Sequence, residues 1–147
     1  MKNCIDDALV DQILKTTKTI ALIGASIKKE RPSNSVMRNL IKRGYQVFPV
    51  NPGHAGNEIL GQKCYSELSE IPHKIDMVDV FRQSNAVPEI VEHAITSEVR
   101  TLWLQLDIRH PEAEAKARRN GIVVISERCP NIEFRRQEAA MRSNKSI

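Results

Sequence analysis

The stretch Thr19-Ile20-Ala21-Leu22-Ile23-Gly24-Ala25-Ser26 decides the fold. Its first five residues are β-branched or aliphatic, the pattern of a strand covered on both faces. Gly24 then allows a tight turn, and Ser26, Lys28, Lys29 and Arg31 follow in the loop. Residues 34–43 place Val36, Met37, Leu40 and Ile41 on one helical face, and Gly44 stops that helix. Gln46–Val50 (QVFPV) is a second strand. Strand, glycine turn, helix, strand is the repeating unit of a parallel sheet.

The rest of the chain extends this pattern. Upstream, residues 5–17 put Ile5, Leu9, Ile13 and Leu14 at helical spacing. Downstream, Ile75–Phe81 is a third strand, and Ser84 is placed to cap a helix running to about residue 97, with Val87, Ile90, Val91 and Ala94 inward. Thr101–Leu106 is a fourth strand, Pro111 starts a helix that Gly121 ends, and Ile122–Ile125 is a fifth strand. Pro130 starts a C-terminal helix with frayed last residues. The expected fold class is α/β: a Rossmann-like, doubly wound, mostly parallel five-stranded sheet with helices on both faces. Pro49 is awkward in a strand because it lacks an N–H, so pairing is expected to be ending there. With no repeat, low-complexity block or linker, one domain is expected over residues 1–147, its core at about 19–136.

Composition narrows the function classes. The 22 basic and 18 acidic residues give a net charge of +4, which suits an anionic small ligand as well as nucleic acid. Aromatic residues are only 4% and form no base-stacking series, so no nucleic-acid partner is expected. Cysteines 4, 64 and 129 form no C-x-x-C, which argues against zinc ribbons and thioredoxin-type pairs and for a reduced, cytoplasmic protein. Two aspartates stand where a secretion signal would have its apolar run, and no apolar stretch nears the roughly 20 residues of a membrane span.

Open parallel sheets bind ligands outside the carboxyl ends of their strands. That rule selects the loops at Gly24, Asn51, Phe81-Arg82, Gln105 and Ser126. In the first, backbone N–H groups at a helix N-terminus can hold phosphate oxygens, with lysines and an arginine beside them. The plainer reading is a solvated basic turn followed by a Ser33 cap. A dinucleotide fingerprint needs glycines at 24, 26 and 29, but Ser26 and Lys29 stand there. The acid that reads a ribose at the end of strand two is replaced by Val50-Asn51-Pro52. No G-x-x-x-x-G-K-[ST] occurs. NAD is thus disfavoured twice. A ligand with a diphosphate and an extra phosphate, such as coenzyme A, fits better.

Five segments then form a pattern: IALIGAS (20–26) with ERPS (30–33); YQVFPVNP (45–52) with AG and EILG (58–61); IDMVDVFR (75–82) with AVPEIV (86–91); LWLQL (102–106); and ERCPNIE (127–133). Together they resemble the small stand-alone CoA-binding domain proteins, themselves similar to the CoA-binding domain of the succinyl-CoA synthetase α subunit. The resemblance covers about residues 19–136. It implies CoA or acyl-CoA across the carboxyl edge of a Rossmann-like sheet. On it, Gly24, Ala25 and Ser26 face the diphosphate, and Arg31 and Ser33 help with phosphate charge. Asn51 and Pro52 line the adenosine side, Phe81 and Arg82 border the site, and Gln105 lies near the pantetheine arm. Asp107 stands where the family pattern has glycine, which bears on the local turn and on the thiol end. The phosphohistidine, partner subunit and ATP-grasp domain of the synthetases have no match here, so ligase activity is not inherited.

The remaining chemistry-bearing residues have plainer readings. The four histidines are dispersed and read as surface or capping groups, and no metal is expected. Asp76 and Asp79 point to opposite faces of a strand, so they form no catalytic pair. Asp79 is expected to anchor loop N–H groups. Cys129, before Pro130 at a helix start, is a candidate for a mixed disulfide with the CoA thiol, although a packed small residue is the simpler role. Trp103 reads as core, and the Arg118-Arg119 and Arg135-Arg136 pairs as solvated helix faces. The expected function is a non-catalytic CoA carrier, sensor or accessory protein, with its protein partner unknown. The alternative is a small NAD(P)- or acyl-CoA-dependent enzyme using Asp79, Asp107 or Cys129. A nucleic-acid or protein-interaction module is the weakest rival.

Overall fold

Five parallel strands form one sheet: β1 (Thr19–Ile23), β2 (Gln46–Val50), β5 (Met77–Val80), β6 (Thr101–Leu104) and β7 (Val123–Ile125). Their order across the sheet is β2-β1-β5-β6-β7. The chain therefore winds outward from β1 to β2, then returns to lay β5 on the other side of β1. That reversal is the switch point of a doubly wound fold. These are the features of a computed structural model that describes residues 5–145; Cys4 and the chain's last two residues lie outside the described part.

Strand alternation sends side chains to two separate cores. One joins Ala21, Ile23, Val78, Val80, Leu102 and Leu104 to α3 (Val87–Thr96) and α4 (Pro111–Arg119). The other joins Ile20, Leu22, Met77, Trp103 and Ile125 to α1 (Asp7–Thr16), α2 (Pro32–Lys42) and α5 (Pro130–Lys145). Burial of each large aliphatic side chain contributes about 1.5–3 kcal/mol, so two filled layers hold the sheet from both sides. Trp103 is fully buried, and its Nε1–H donates to the Arg128 carbonyl at 2.9 Å. The central aromatic ring thus also fixes the approach to α5.

Several local expectations need correction. Helix α1 is capped by Asp6 and buries Val10, Ile13 and Leu14, while Leu9 is exposed. Pro49 does not mark the end of pairing: it lies in full register opposite Leu22. It is tolerated because β2 is an edge strand and the missing N–H lies on the outer side, where the Pro49 carbonyl accepts from Tyr65 N–H at 3.0 Å. A hairpin of β3 (Glu58–Ile59) and β4 (Gln62–Lys63) leads into this contact, which the sequence pattern did not suggest. Ser33 is not a cap: α2 begins at Pro32 behind Arg31, without a side-chain cap. Ser84 does not cap α3 either, because its Oγ accepts from Arg109 N–H at 3.0 Å and so joins two loops. Arg136 is no solvated charge. It bonds Asp11 at 2.5 Å and Glu133 at 3.0 Å, tying α1 to α5 and holding the Asp11 carboxyl below its usual range.

The two aspartates of the third predicted strand exchange roles. Asp76 is the anchor, its Oδ2 accepting from Lys18 N–H at 2.9 Å and Thr19 N–H at 3.3 Å. Asp79 is fully buried, and neither carboxyl oxygen has a hydrogen-bond partner. Burial pushes its pKa well up. The unfolded chain releases that proton near pH 4 and the folded chain keeps it, so this group makes stability fall as pH rises toward its folded pKa. Opposite outcomes are expected in urea unfolding. Asp76→Ala lowers stability by about 1–2 kcal/mol, whereas Asp79→Asn raises it at neutral pH and gains little near pH 4.

Candidate functional site at the carboxyl edge

The loop after β1 is rigid because the protein itself holds it. Gly24 and Ala25 both donate their N–H groups to the Val50 carbonyl, at 2.9 and 3.3 Å. Asn51 Nδ2 donates to the Ala25 carbonyl at 2.8 Å, while Asn51 Oδ1 accepts from Gly53 N–H at 2.9 Å. Ser26 Oγ accepts from Lys28 N–H at 3.1 Å, and the Ser26 carbonyl accepts from Asn34 Nδ2 at 2.8 Å. Arg38, in the second turn of α2, donates to the Asn34 and Lys29 carbonyls at 3.4 and 3.2 Å. Sequence reading passed over Arg38. Its i,i+4 spacing from Asn34 was the available signal.

This bonding changes which groups face outward. The Gly24 and Ala25 N–H groups shape the bend and are already bonded. Among the described residues, the N–H groups of Ser26, Ile27 and Ser33 have no protein acceptor, and they stand at the bend and at the first turn of α2. Ser33 and Asn34 are buried, whereas Lys28, Lys29 and Arg31 are exposed. These cations and Arg82 make no ion pair among the described residues. Unbonded N–H groups, a helix start and unpaired cations together favour an oxyanion.

Gly24 serves the neighbouring strand as well as the turn. Its φ is +92°, and a Cβ here would lie 2.7 Å from the Phe81 carbonyl oxygen. Phe81 N–H in turn donates to the Ile23 carbonyl at 2.8 Å. The switch point is thus a direct backbone contact between the first and third predicted loops. Phe81 is half-buried against the α1/α2/α5 core, and Pro52 and Arg82 are exposed.

The edge is electrically polar along its length. At the β6 and β7 end stand Asp107 and Glu127, both with left-handed φ, at 69° and 59°. Asp107 thus occupies a backbone position of the kind that favours glycine. Arg109 is occupied there, bonded to the buried Glu114 at 3.1 Å and to Glu127 at 2.9 Å. Glu114 also accepts from His110 N–H, and His110 Nδ1 caps α4 by accepting from Ala113 N–H. Gln105 is buried at this end, its Oε1 without a partner. Cys129 is half-buried against the α1/α2/α5 core, as a packed small residue would be. Three unpaired cations and one carboxylate, Glu30, therefore lie on the β1 loop and Arg82 after β5, while Asp107 and Glu127 stand after β6 and β7.

A cavity of about 520 Å³ opens at the opposite, amino edge, between the C-terminal ends of α3 and α4, beside Glu98, Arg100 and Asn120. Helix C-termini present carbonyl oxygens, which makes that cavity a poor phosphate site. No three His, Cys, Asp or Glu side chains converge as a metal-holding group among the described residues. No described helix is long and apolar enough to cross a membrane.

A doubly wound parallel sheet with a glycine bend at its switch point defines a Rossmann-like α/β domain. The particular family follows from comparison. A family model described as a CoA binding domain matches residues 18–135. The chain belongs to that family. It is 34% identical over 122 residues to the uncharacterized protein YneT of Bacillus subtilis, spanning 83% of this chain and 89% of that protein. A solved hypothetical protein from Pyrococcus horikoshii is 38% identical, with a TM-score of 0.86 over 92% of this chain and 98% of that one. The acetate–CoA ligase (ADP-forming) I subunit alpha of Pyrococcus furiosus is 35% identical over 85 residues, 55% of this chain but only 18% of the subunit. The homology to the CoA-binding part of such ligases agrees with the resemblance read from the sequence.

The bend supplies a direct test. Gly24→Ala must both adopt a left-handed φ and displace the Phe81 backbone. A loss of more than about 2 kcal/mol in urea unfolding is expected, since a disfavoured φ and a backbone clash add. A substitution with no measurable effect would show that the two loops separate easily.

Proposed function

We propose that this chain binds coenzyme A or an acyl-CoA at the carboxyl edge of its sheet, as a carrier, sensor or accessory protein without catalytic turnover of its own. The observation that carries the reading is the preformed β1–α2 bend. It has unbonded N–H groups at Ser26, Ile27 and Ser33 and unpaired cations beside them. CoA supplies a diphosphate and a 3′-phosphate for that end. Its uncharged pantetheine arm suits the passage along Phe81 toward Gln105, away from Lys28, Lys29 and Arg31. Membership of a CoA-binding family supports the same ligand.

NAD fits less well. The side chain of Asn51, where a ribose-reading acid would stand, is engaged with Ala25 and Gly53. For catalysis, Asp76 serves backbone N–H groups and Asp79 lies on the other face of the strand, so no carboxylate pair forms. The acetate–CoA ligases use CoA by name, but this chain corresponds to a small part of their length, and ligation is no part of the proposal.

Calorimetry with CoA, dephospho-CoA, NAD and NADP tests this reading. CoA is expected to bind one per chain, with dephospho-CoA weaker. Replacing Lys28, Lys29 and Arg31 together by alanine should weaken CoA by about tenfold or more and flatten its salt dependence. Tight NAD or NADP binding with none of CoA would transfer the site to the enzyme reading. DNA binding that falls steeply with salt, without CoA, would favour the nucleic-acid rival.

A further inference from the structure

Among the described residues, four buried side-chain atoms lack a hydrogen-bond partner: Asn34 Oδ1, both Asp79 oxygens and Gln105 Oε1. All four are oxygens. With Asp79 ionised, this set holds acceptors and no donor, an arrangement that buried polar groups avoid. A single proton on Asp79 would supply a donor.

The sheet register identifies its acceptor. Asp79 pairs with Trp103 on the neighbouring strand, and Gln105 is two residues beyond Trp103. Met77 and Trp103 belong to the α1/α2/α5 core, while Val78, Val80 and Leu104 belong to the other. Alternation therefore puts Asp79 and Gln105 on the same face, as diagonal neighbours within reach of a long side chain. Asn34 is held instead toward the loop beyond the strand ends, through Ser26. Gln105 Nε2 has no protein partner either but, unlike Oε1, it is not sealed from solvent.

We propose that Asp79 is protonated and donates a hydrogen bond to Gln105 Oε1, which turns the Gln105 amide N–H groups toward the carboxyl edge as donors for a ligand amide carbonyl. Asp79 is then a positioning residue and Gln105 the group that touches ligand. This rests on the CoA reading above, since the pantetheine arm is what carries amide carbonyls along that edge. Burial alone raises the Asp79 pKa, with no neighbouring charge contributing. The titratable groups on that face agree. Cys64 lies beside β2, Tyr45 donates to the Leu14 carbonyl, Cys129 precedes α5, and Glu133 on α5 is paired with Arg128 and Arg136. Asp7 and Asp11 of α1 are turned to the same two arginines.

The rival arrangement is an ionised Asp79 accepting from an overturned Gln105 amide. Two measurements separate them. The first is NMR of the aspartate carboxyl carbons and glutamine side-chain amides in the ligand-free protein, for wild type, Asp79→Asn and Asp79→Leu across pH. The second is calorimetry of CoA with the same three proteins. The expected result is a protonated Asp79 at neutral pH and a Gln105 amide that shifts in D79L but little in D79N. CoA affinity should fall roughly tenfold in D79L and stay near wild type in D79N. The wild type should lose affinity as pH rises through the Asp79 titration, and D79N should not. An ionised Asp79 at neutral pH, a Gln105 amide indifferent to D79L, or unchanged CoA affinity in D79L overturns the proposal. Failure of the wild type to bind CoA removes the ligand reading and the role of Gln105 in it, while the resonances alone still decide whether the Asp79–Gln105 bond exists.

Discussion

The contact between Gly24 and the backbone of Phe81 sets the geometry of everything at the ligand edge. The first and third loops lie against each other there with no room for a side chain. Because β1 and β5 are adjacent and parallel, this contact sits where the winding of the sheet reverses. The Val50 carbonyl completes the constraint from the other side by accepting from Gly24 and Ala25. The bend is thereby clamped between β2 and β5 without help from a ligand. Such preorganisation lowers the ordering cost of binding, which otherwise consumes much of the interaction energy.

The charge pattern along the edge follows from which groups the fold has already used. Arg109 is exposed enough to meet a ligand, yet Glu114 and Glu127 occupy it. Lys28, Lys29 and Arg31 sit on a loop whose Ala25, Ser26 and Lys29 carbonyls are bonded by Asn51, Asn34 and Arg38, so their charges remain available. An anionic head is therefore favoured at β1 and an uncharged arm toward β6. The +4 net charge alone could not express this, because it is the placement of partners that distinguishes one arginine from another.

The α/β architecture was legible because strand and helix periods differ so plainly in this chain. The run Thr19–Ile23 and the strand Gln46–Val50 have the predicted bounds, and Val87, Ile90, Val91 and Ala94 face inward as their spacing requires. Capping was less legible, since Ser33 and Ser84 carry the right side chains but tertiary contacts decide their use. Ser33 is buried one residue inside α2, and Ser84 bonds a loop 25 residues away. Pro49 misled for a related reason: a proline reports a missing N–H but not which edge of the strand it faces. At the site, loop positions could be read from the strand ends. The bonding of Gly24 and Ala25 to Val50, and of Asn51 to Ala25, could not, because those partners are distant in sequence.

The aspartates of the third predicted strand show most clearly where sequence reasoning stops. A carboxylate in an apolar run was expected to be bonded, and Asp76 satisfies that rule by holding Lys18 and Thr19. Asp79 breaks it in the middle of the sheet, between Leu22 and Trp103. A hydrophobic residue of similar size would fill that position at less cost, since buried polar groups are often replaceable by apolar ones without loss of stability. Departures of this kind concentrate at functional positions, where a local rule is broken for a purpose other than stability. Asp79 lies two residues before Phe81, one strand from Gln105 and directly below the bend, so its stability cost is incurred beside the elements that form the ligand edge.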